Sequence, residues 1–150
     1  MPGTYVTSGA MTAITAGVKT ILTLESVATR RSGTFYFSLS SGGTMADQVI
    51  LATLKRGTVT GTGTAVVPAP TDPADPAAVM TSKEQMTVEG TLTAATEQWE
   101  QDVHIRALAQ VHLQPGRELV LPATAAAALA MRASSANYTG IARATMHFYE

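Results

Sequence analysis

Residues 127–148, AALAMRASSANYTGIARATMHF, decide the fold, because their larger apolar side chains recur at every second position. Alternation of this length predicts half-buried β-strands, since successive side chains of a strand point to opposite faces of the sheet. The polar corner at 134–137 separates two such runs, which predicts a long C-terminal hairpin with its last strand central in a sheet. The last run places these residues on one parity: Tyr138, Ala142, Ala144, Met146 and Phe148.

Shorter runs of the same kind occur along the rest of the chain. They are VKTILTLESV (18–27), TFYFSLS (34–40), QVILATLKR (48–56), MTVEGTLTA (86–94), TEQWEQDVHIR (96–106) and RELVL (117–121). Residues 96–111 also suit a helix, because Glu, Gln and Ala favour helices, but the shared parity of Trp99, Val103 and Ile105 favours a strand. The count predicts an all-β fold, a jelly-roll-like β-sandwich of about eight strands.

The parity of each run also predicts which side chains form the core. A buried Phe148 in the last strand is the strongest of these expectations. The predicted core residues are Leu22, Leu24, Phe35, Phe37, Val88, Leu92, Leu129, Met131, Met146 and Phe148.

Two segments lack strand periodicity. Residues 1–17 are small, uncharged and interrupted by glycine, which predicts an extended N-terminal arm that is either poorly ordered or lies on a neighbouring subunit, with a short strand possible at residues 5–7. Residues 57–81 carry four spaced prolines, which exclude a central strand and predict a proline-rich loop that crosses a surface. The rest of the chain, residues 18–150, is predicted to form one β-sandwich domain.

The charge content excludes several partners. Charged residues make up 14% of the chain, against about 25% in ordinary soluble domains, and the net charge is −1. Such a chain has no basic field for nucleic acid and no polybasic segment for anionic lipid. A surface rich in Thr, Ser and Ala is typical of proteins that live in assemblies. The absence of cysteine excludes thiol chemistry and fits folding in a reducing cytoplasm.

No catalytic or metal-binding pattern is present in the sequence. The histidines, His104, His112 and His147, lack the close spacing that points two ligands at one ion. The glycines of GTVTGTGT (57–64) are not followed by the lysine and hydroxyl residue of a phosphate loop. We therefore expect neither enzymatic activity nor a cofactor.

Five segments resemble small structural proteins from the head genes of tailed phages, and in particular head decoration, or cement, proteins with a jelly-roll fold. The resemblance spans most of the chain, and its motifs are strand and turn patterns. They are TAGVKTILTLES (15–26), DPADPA (72–77), VEGTLT (88–93), PGRELVLPA (115–123) and LAMRAS (129–134).

This resemblance implies a structural role without catalysis. The chain would be made in the host cytoplasm, assemble as a homotrimer and bind the outer surface of the virion, where it clamps neighbouring major capsid proteins. The apolar residues of the arm and the loop prolines are the predicted capsid contacts, and the apolar run at 48–54 with one arginine is the predicted trimer interface. The capsid-binding residues are Tyr5, Val6, Met11, Ile14, Pro68, Pro70, Pro73 and Pro76; the interface residues are Ile50, Leu54 and Arg132.

Two alternatives stay open at this point. Trp99, with Glu100 and Asp102 beside it, suits a receptor- or glycan-binding module of a phage tail. A cupin-like enzyme shares the fold class, but the scattered histidines argue against it.

Overall fold

The computed structural model describes residues 3–14, 17–42, 47–135, 138 and 140–150, and gives only the backbone of residues 12–13 and 93–96. Within these ranges the chain forms twelve strands and no helix. The strands are β1 (Thr4–Ile14), β2 (Gly17–Glu25), β3 (Ser32–Gly42), β4 (Val49–Val59), β5 (Thr62–Val66), β6 (Ala69–Pro70), β7 (Thr81–Val88), β8 (Thr91–His104), β9 (Ala109–His112), β10 (Leu119–Leu121), β11 (Ala128–Ser135) and β12 (Gly140–Tyr149).

The strands form two antiparallel sheets packed face to face, which confirms the predicted β-sandwich. Sheet A has the order β6-β1-β12-β3, and both β9 and β10 pair with the other side of β3. Sheet B has the order β5-β7-β2-β11-β4-β8. Eight strands, β1-β12-β3-β9 in one sheet and β2-β11-β4-β8 in the other, have the pairing order of a jelly roll. Strands β5 to β7 are an insertion between β4 and β8 that extends both sheets.

The core between the sheets contains most of the predicted residues. Phe148 of β12 is fully buried and stacks on Tyr5 of β1, with ring centroids 5.6 Å apart. Seven of the ten predicted core residues are buried: Leu22, Leu24, Phe37, Leu129, Met131, Met146 and Phe148.

The other three predicted core residues are not fully buried. For Val88 and Phe35 the reason is that the alternation along the strand is interrupted. Val88 has an exposed fraction of 58%, since the run 86–94 is two strands separated by a turn at Glu89 and Gly90. Leu92 is half-buried. Phe35 is half-buried because a bulge in β3 reverses the parity at that point: His147 pairs with Tyr36, but Phe148 pairs with Thr34.

The predicted C-terminal hairpin was wrong. β11 pairs with β2 and β4 in sheet B, whereas β12 pairs with β1 and β3 in sheet A. The corner at 134–137, of which residues 136–137 lie outside the described part, therefore connects two sheets. Parity within each run cannot distinguish these connections, because both leave one apolar face per strand. The central position predicted for β12 is confirmed.

The N-terminal arm was also wrong for the part that the structure describes. Residues 4–14 form β1, which pairs with β12 along most of its length, from Thr4–Tyr149 to Met11–Ala142. Residues 1–2 and 15–16 of the predicted arm lie outside the described part. The small residues of this run hid the strand: Thr7 and Gly9 share the inward face with Tyr5 and Met11, so the apolar signal was weak.

The proline-rich segment contains more regular structure than a loop. Thr62–Val66 is the strand β5, which pairs with β7, and the two residues of β6 pair with Tyr5 and Val6 at the edge of sheet A. Proline is tolerated there because an edge strand need not donate from both sides. Residues 71–80 connect β6 to β7 without a strand.

We predict that Phe148→Ala lowers the free energy of unfolding by roughly 3–5 kcal/mol, because it removes a fully buried ring and leaves a cavity against Tyr5. Urea denaturation measures the change. Val88→Ala, at an exposed position, is the control and should change stability by less than about 0.5 kcal/mol. Equal losses from the two variants would contradict the burial described above.

Deleting residues 4–14 should prevent folding. The deletion exposes one edge of β12 and removes three buried apolar side chains, Tyr5, Met11 and Ile14, together with the buried Thr7, a loss that exceeds the roughly 5–15 kcal/mol by which domains are stable. Circular dichroism and proteolysis measure the outcome. A folded, protease-resistant deletion protein would show that β1 is dispensable.

Candidate functional site

Four aromatic rings meet on the outer face of sheet A. They belong to Phe35 and Tyr36 of β3, His112 of β9 and His147 of β12. The bulge in β3 is the reason that two consecutive residues both point away from the core, since it leaves Phe35 without a partner on β12. The carbonyl of Phe35 instead accepts a hydrogen bond from Leu113 N at 2.8 Å.

The strand register places these rings in one row across the sheet. Tyr36 is directly opposite His112 on one side and His147 on the other, and His147 is opposite Val6 of β1. Directly opposed side chains in antiparallel strands lie close enough to touch. The row therefore follows from backbone pairing and does not depend on a flexible loop.

The rings enclose a shallow depression of about 240 Å³, which we call the aromatic bowl: Phe35, Tyr36, His112 and His147. The Tyr36 ring lies 4.5 Å from His112 and 4.9 Å from His147 between centroids, and the Phe35 ring lies 6.1 Å from His147. Tyr149 lies across Gly33 on the same side of the sheet, where a Cβ at residue 33 would overlap its ring.

The bowl has no carboxylate in its lining. Burial, and then the neighbouring His112, hold the pKa of His147 below its ordinary value of 6.5. The two imidazoles lie on opposite sides of Tyr36. In the described part of the chain no three His, Asp or Glu side chains are grouped as metal ligands would be.

The outer faces of the two sheets differ in charge. On sheet A, the described outward side chains of β1, β3, β9 and β12 include one charged residue, Arg143. Hydroxyl groups pair there instead, as in the 2.9 Å hydrogen bond between Ser8 and Thr145. An aromatic surface with few charged residues shares two features with the centre of protein–protein interfaces, where aromatic residues are enriched and most charged residues are depleted.

The outer face of sheet B carries ion pairs. Lys83 lies 3.0 Å from Glu25, Lys55 pairs with Glu97, and Arg132 lies 3.9 Å from Glu89. Glu89 also accepts hydrogen bonds from the amide and hydroxyl of Thr20. These long side chains cover the strands beneath them, so Ala128 and Ala130 are buried although they point outward.

Most of the predicted capsid-binding residues of the arm are not on the surface. Tyr5, Met11 and Ile14 are buried in the core, so their assignment as contact residues was wrong. Val6 is half-buried and lies on the outer face of sheet A, in the same row as the bowl. The apolar residues that were predicted to form a docking arm lie on the inward face of β1.

The predicted prolines divide between interior and surface. Pro68 is buried and Pro70 belongs to β6, whereas Pro73 and Pro76 are exposed. The segment is held to the C-terminal residue, because the Glu150 carboxylate accepts hydrogen bonds from Val79 N at 2.6 Å and Met80 N at 3.0 Å. Pro73 and Pro76 are therefore the part of this prediction that can contact another molecule.

The predicted trimer interface on β4 was wrong. Ile50 and Leu54 are 1% and 0% exposed, and they pack between the sheets of their own subunit. The opposite side of β4 is less apolar than expected, with Thr53 and Lys55 beside Leu51. Arg132 lies on the outer face of sheet B, and its partner there is Glu89.

The structure does not form the predicted aromatic site around Trp99. The strand prediction is confirmed, since residues 91–104 form β8, but the Trp99 ring packs against Phe37 at 5.3 Å and is half-buried. Glu100 and Asp102 point outward on β8, away from that ring. His104 lies on this strand too, 3.7 Å from Asp47 and far in the topology from the other two histidines.

No family model, curated protein or solved structure matches this chain. In the described ranges, no helix is long and apolar enough to cross a membrane. The bowl was missed in the sequence because a bulge cannot be read from parity: Phe35 was assigned inward with Phe37. The feature of the sequence that could have indicated the bowl is the pair of consecutive aromatic residues Phe35 and Tyr36 in one strand, together with a histidine in another strand.

We predict that the protein loses stability relative to His147→Asn as the pH falls below 6.5. The folded protein holds the pKa of His147 below that value, so between the two values the unfolded chain binds more protons and stability decreases with falling pH. Above 6.5 this contribution is fully present. Denaturation midpoints from pH 8 to 5 measure the difference, and His104→Asn serves as the exposed control. Parallel curves for wild type and His147→Asn would contradict the prediction.

Proposed function

We propose that this chain is a structural virion protein that attaches as a homotrimer to the outside of a phage capsid and stabilises contacts between neighbouring major capsid proteins. The observation that carries the proposal is the nearly uncharged outer face of sheet A. A face of this composition suits burial against other proteins. The opposite face carries several ion pairs, together with two exposed valines, Val18 and Val49.

Two further features support a structural role. The jelly-roll pairing order agrees with the fold that the resemblance to decoration proteins implies. The bowl is lined by four aromatic rings on paired strands, which suits the binding of another molecule.

The mechanism would be buried area combined with several attachment points. A trimer presents three copies of the same face, and each additional attachment is made at the effective concentration set by the first. Affinity for a repeating surface such as a capsid can then exceed that of one subunit by a factor of about 10²–10⁴ without new kinds of contact.

The contact surface differs from the one expected of a disordered arm. Ser8, Val6 and Thr145 lie on paired strands, so their backbones are already ordered before binding. An arm would lose about 1–2 kcal/mol of backbone entropy for each residue ordered. A preformed sheet face avoids that loss, which favours attachment through sheet A.

Cosedimentation with purified capsids tests the proposal. The wild-type protein should bind in stoichiometric amounts. Ser8→Glu, which puts a charge on the exposed part of sheet A, should weaken binding about tenfold or more, a loss of about 1.4 kcal/mol. Gln101→Glu adds the same charge at an exposed position of β8 and should bind like wild type.

Two results would count against this function. Wild-type protein that stays in the supernatant while capsids pellet bare would contradict capsid attachment. Equal loss of binding for Ser8→Glu and Gln101→Glu would contradict attachment through sheet A.

A further inference from the structure

We propose that the aromatic bowl of one subunit receives the exposed prolines of the 72–76 turn of a second subunit, and that this head-to-tail contact closes the trimer. This inference rests on the trimer in the proposed function and names its interface. The occupant is a second copy of this chain, because the chain itself carries both halves of the contact.

The 72–76 turn is preformed for insertion. Asp75 N donates to Asp72 O at 3.0 Å, which closes a β-turn with Pro73 at its second position, where proline is favoured. The Asp72 carboxylate accepts a further hydrogen bond from Ala74 N at 2.9 Å. Pro73 and Pro76 are both exposed on this turn.

Both ends of the turn are fixed to the sandwich. Before it, the Thr71 side chain and amide bond to Thr4 of β1, the amide at 2.8 Å. After it, Glu150 holds Val79 and Met80. Little conformational freedom is left to lose on docking, so more of the contact energy contributes to affinity.

The bowl has the chemistry that binds proline. Aromatic rings offer large apolar surfaces to a docked proline, whose ring has no side-chain rotamer freedom to lose. Tyr36 and its two histidine neighbours present such rings side by side on a sheet face.

Charge is compatible with this pairing. The prolines are flanked by carboxylates, Asp72 and Asp75. The bowl contains His112 and His147 and no carboxylate, so an acidic turn meets no like charge inside it. The loop after His112 carries Arg117 and Glu118 side by side and adds no net charge.

The topology makes the contact intermolecular. The turn leaves sheet A at its β6 and β1 edge, whereas the bowl lies on β12, β3 and β9 towards the other edge. From β6 to β12, the nearest strand of the bowl, is two strand spacings, about 10 Å, and the turn is fixed at both ends to its own edge of the sheet. Different surfaces on opposite edges give a heterologous contact, and such contacts form rings when the rotation closes.

Light scattering after size exclusion tests the contact. The wild type should have the mass of a trimer. Pro73→Asp/Pro76→Asp in the turn, and His112→Glu in the bowl, should each raise the dissociation constant for assembly about thirtyfold or more, as loss of an interface anchor does. The matched controls, Pro122→Asp and His104→Glu, are exposed substitutions elsewhere and should remain trimers.

Mixing the two interface variants gives a second readout. The turn of the His112→Glu subunit and the bowl of the Pro73→Asp/Pro76→Asp subunit are both intact, so one contact can form but no ring can close. We expect heterodimers at high concentration and no trimer. Restored trimers would overturn a head-to-tail ring.

A covalent trap keeps the test independent of folding defects. The chain has no cysteine, so Pro76→Cys/His112→Cys introduces the only two thiols. Oxidation should give disulfide-linked trimers on a denaturing gel, with far less linkage in Pro122→Cys/His104→Cys. Equal linkage in the two variants would overturn the contact.

The outcomes separate this inference from the proposed function. A trimer whose mass survives every interface variant overturns the bowl contact and leaves capsid attachment standing. Trimers that depend on the contact but do not cosediment with capsids support the contact and overturn capsid attachment. A wild-type monomer at all concentrations overturns the contact and the trimer together.

Discussion

Pairing of the last strand with the first and third holds this molecule together. β12 lies between β1 and β3, and its inward residues Ala142, Ala144, Met146 and Phe148 are buried against sheet B. The two small alanines let the sheets approach, and the larger Met146 and Phe148 fill the space near Tyr5. Chain ends that are distant in sequence thereby become neighbours, so the jelly roll cannot form until both are present.

Two bulges convert this regular scaffold into one with two different faces. In β3, the extra residue at Phe35 turns two adjacent aromatic rings outward. In β2, the pairing shifts between Leu22 and Thr20, so Ile21 and Leu22 are both buried and Thr20 faces Glu89 on the outside. A bulge changes the direction of a side chain without breaking the sheet, which is how a rigid strand can carry a binding feature.

The proposed assembly follows from the same geometry. The inserted segment between β4 and β8 places an acidic proline turn at one edge of sheet A, and the bulge in β3 places the bowl towards the other. Each subunit then presents the turn at one edge of sheet A and the bowl towards the other edge, and the nearly uncharged face of the sheet lies between the turn and the bowl. A trimer attached to a capsid through that face would make three such contacts. Its overall affinity would then be high without requiring any one contact to be strong.

The sequence by itself determined the fold class, the strand nature of residues 96–104 and most of the core, because side-chain alternation reports which face of a strand is buried. It did not determine the partners of a strand: β1 was hidden by small inward residues such as Gly9, and the assumed hairpin of β11 and β12 separates into two sheets. Only the tertiary structure decided that Ile50 and Leu54 are internal and that Phe35, Tyr36, His112 and His147 meet. The reason is physical: alternation is a local property of the backbone, whereas pairing, bulges and the meeting of distant rings depend on how the strands pack together.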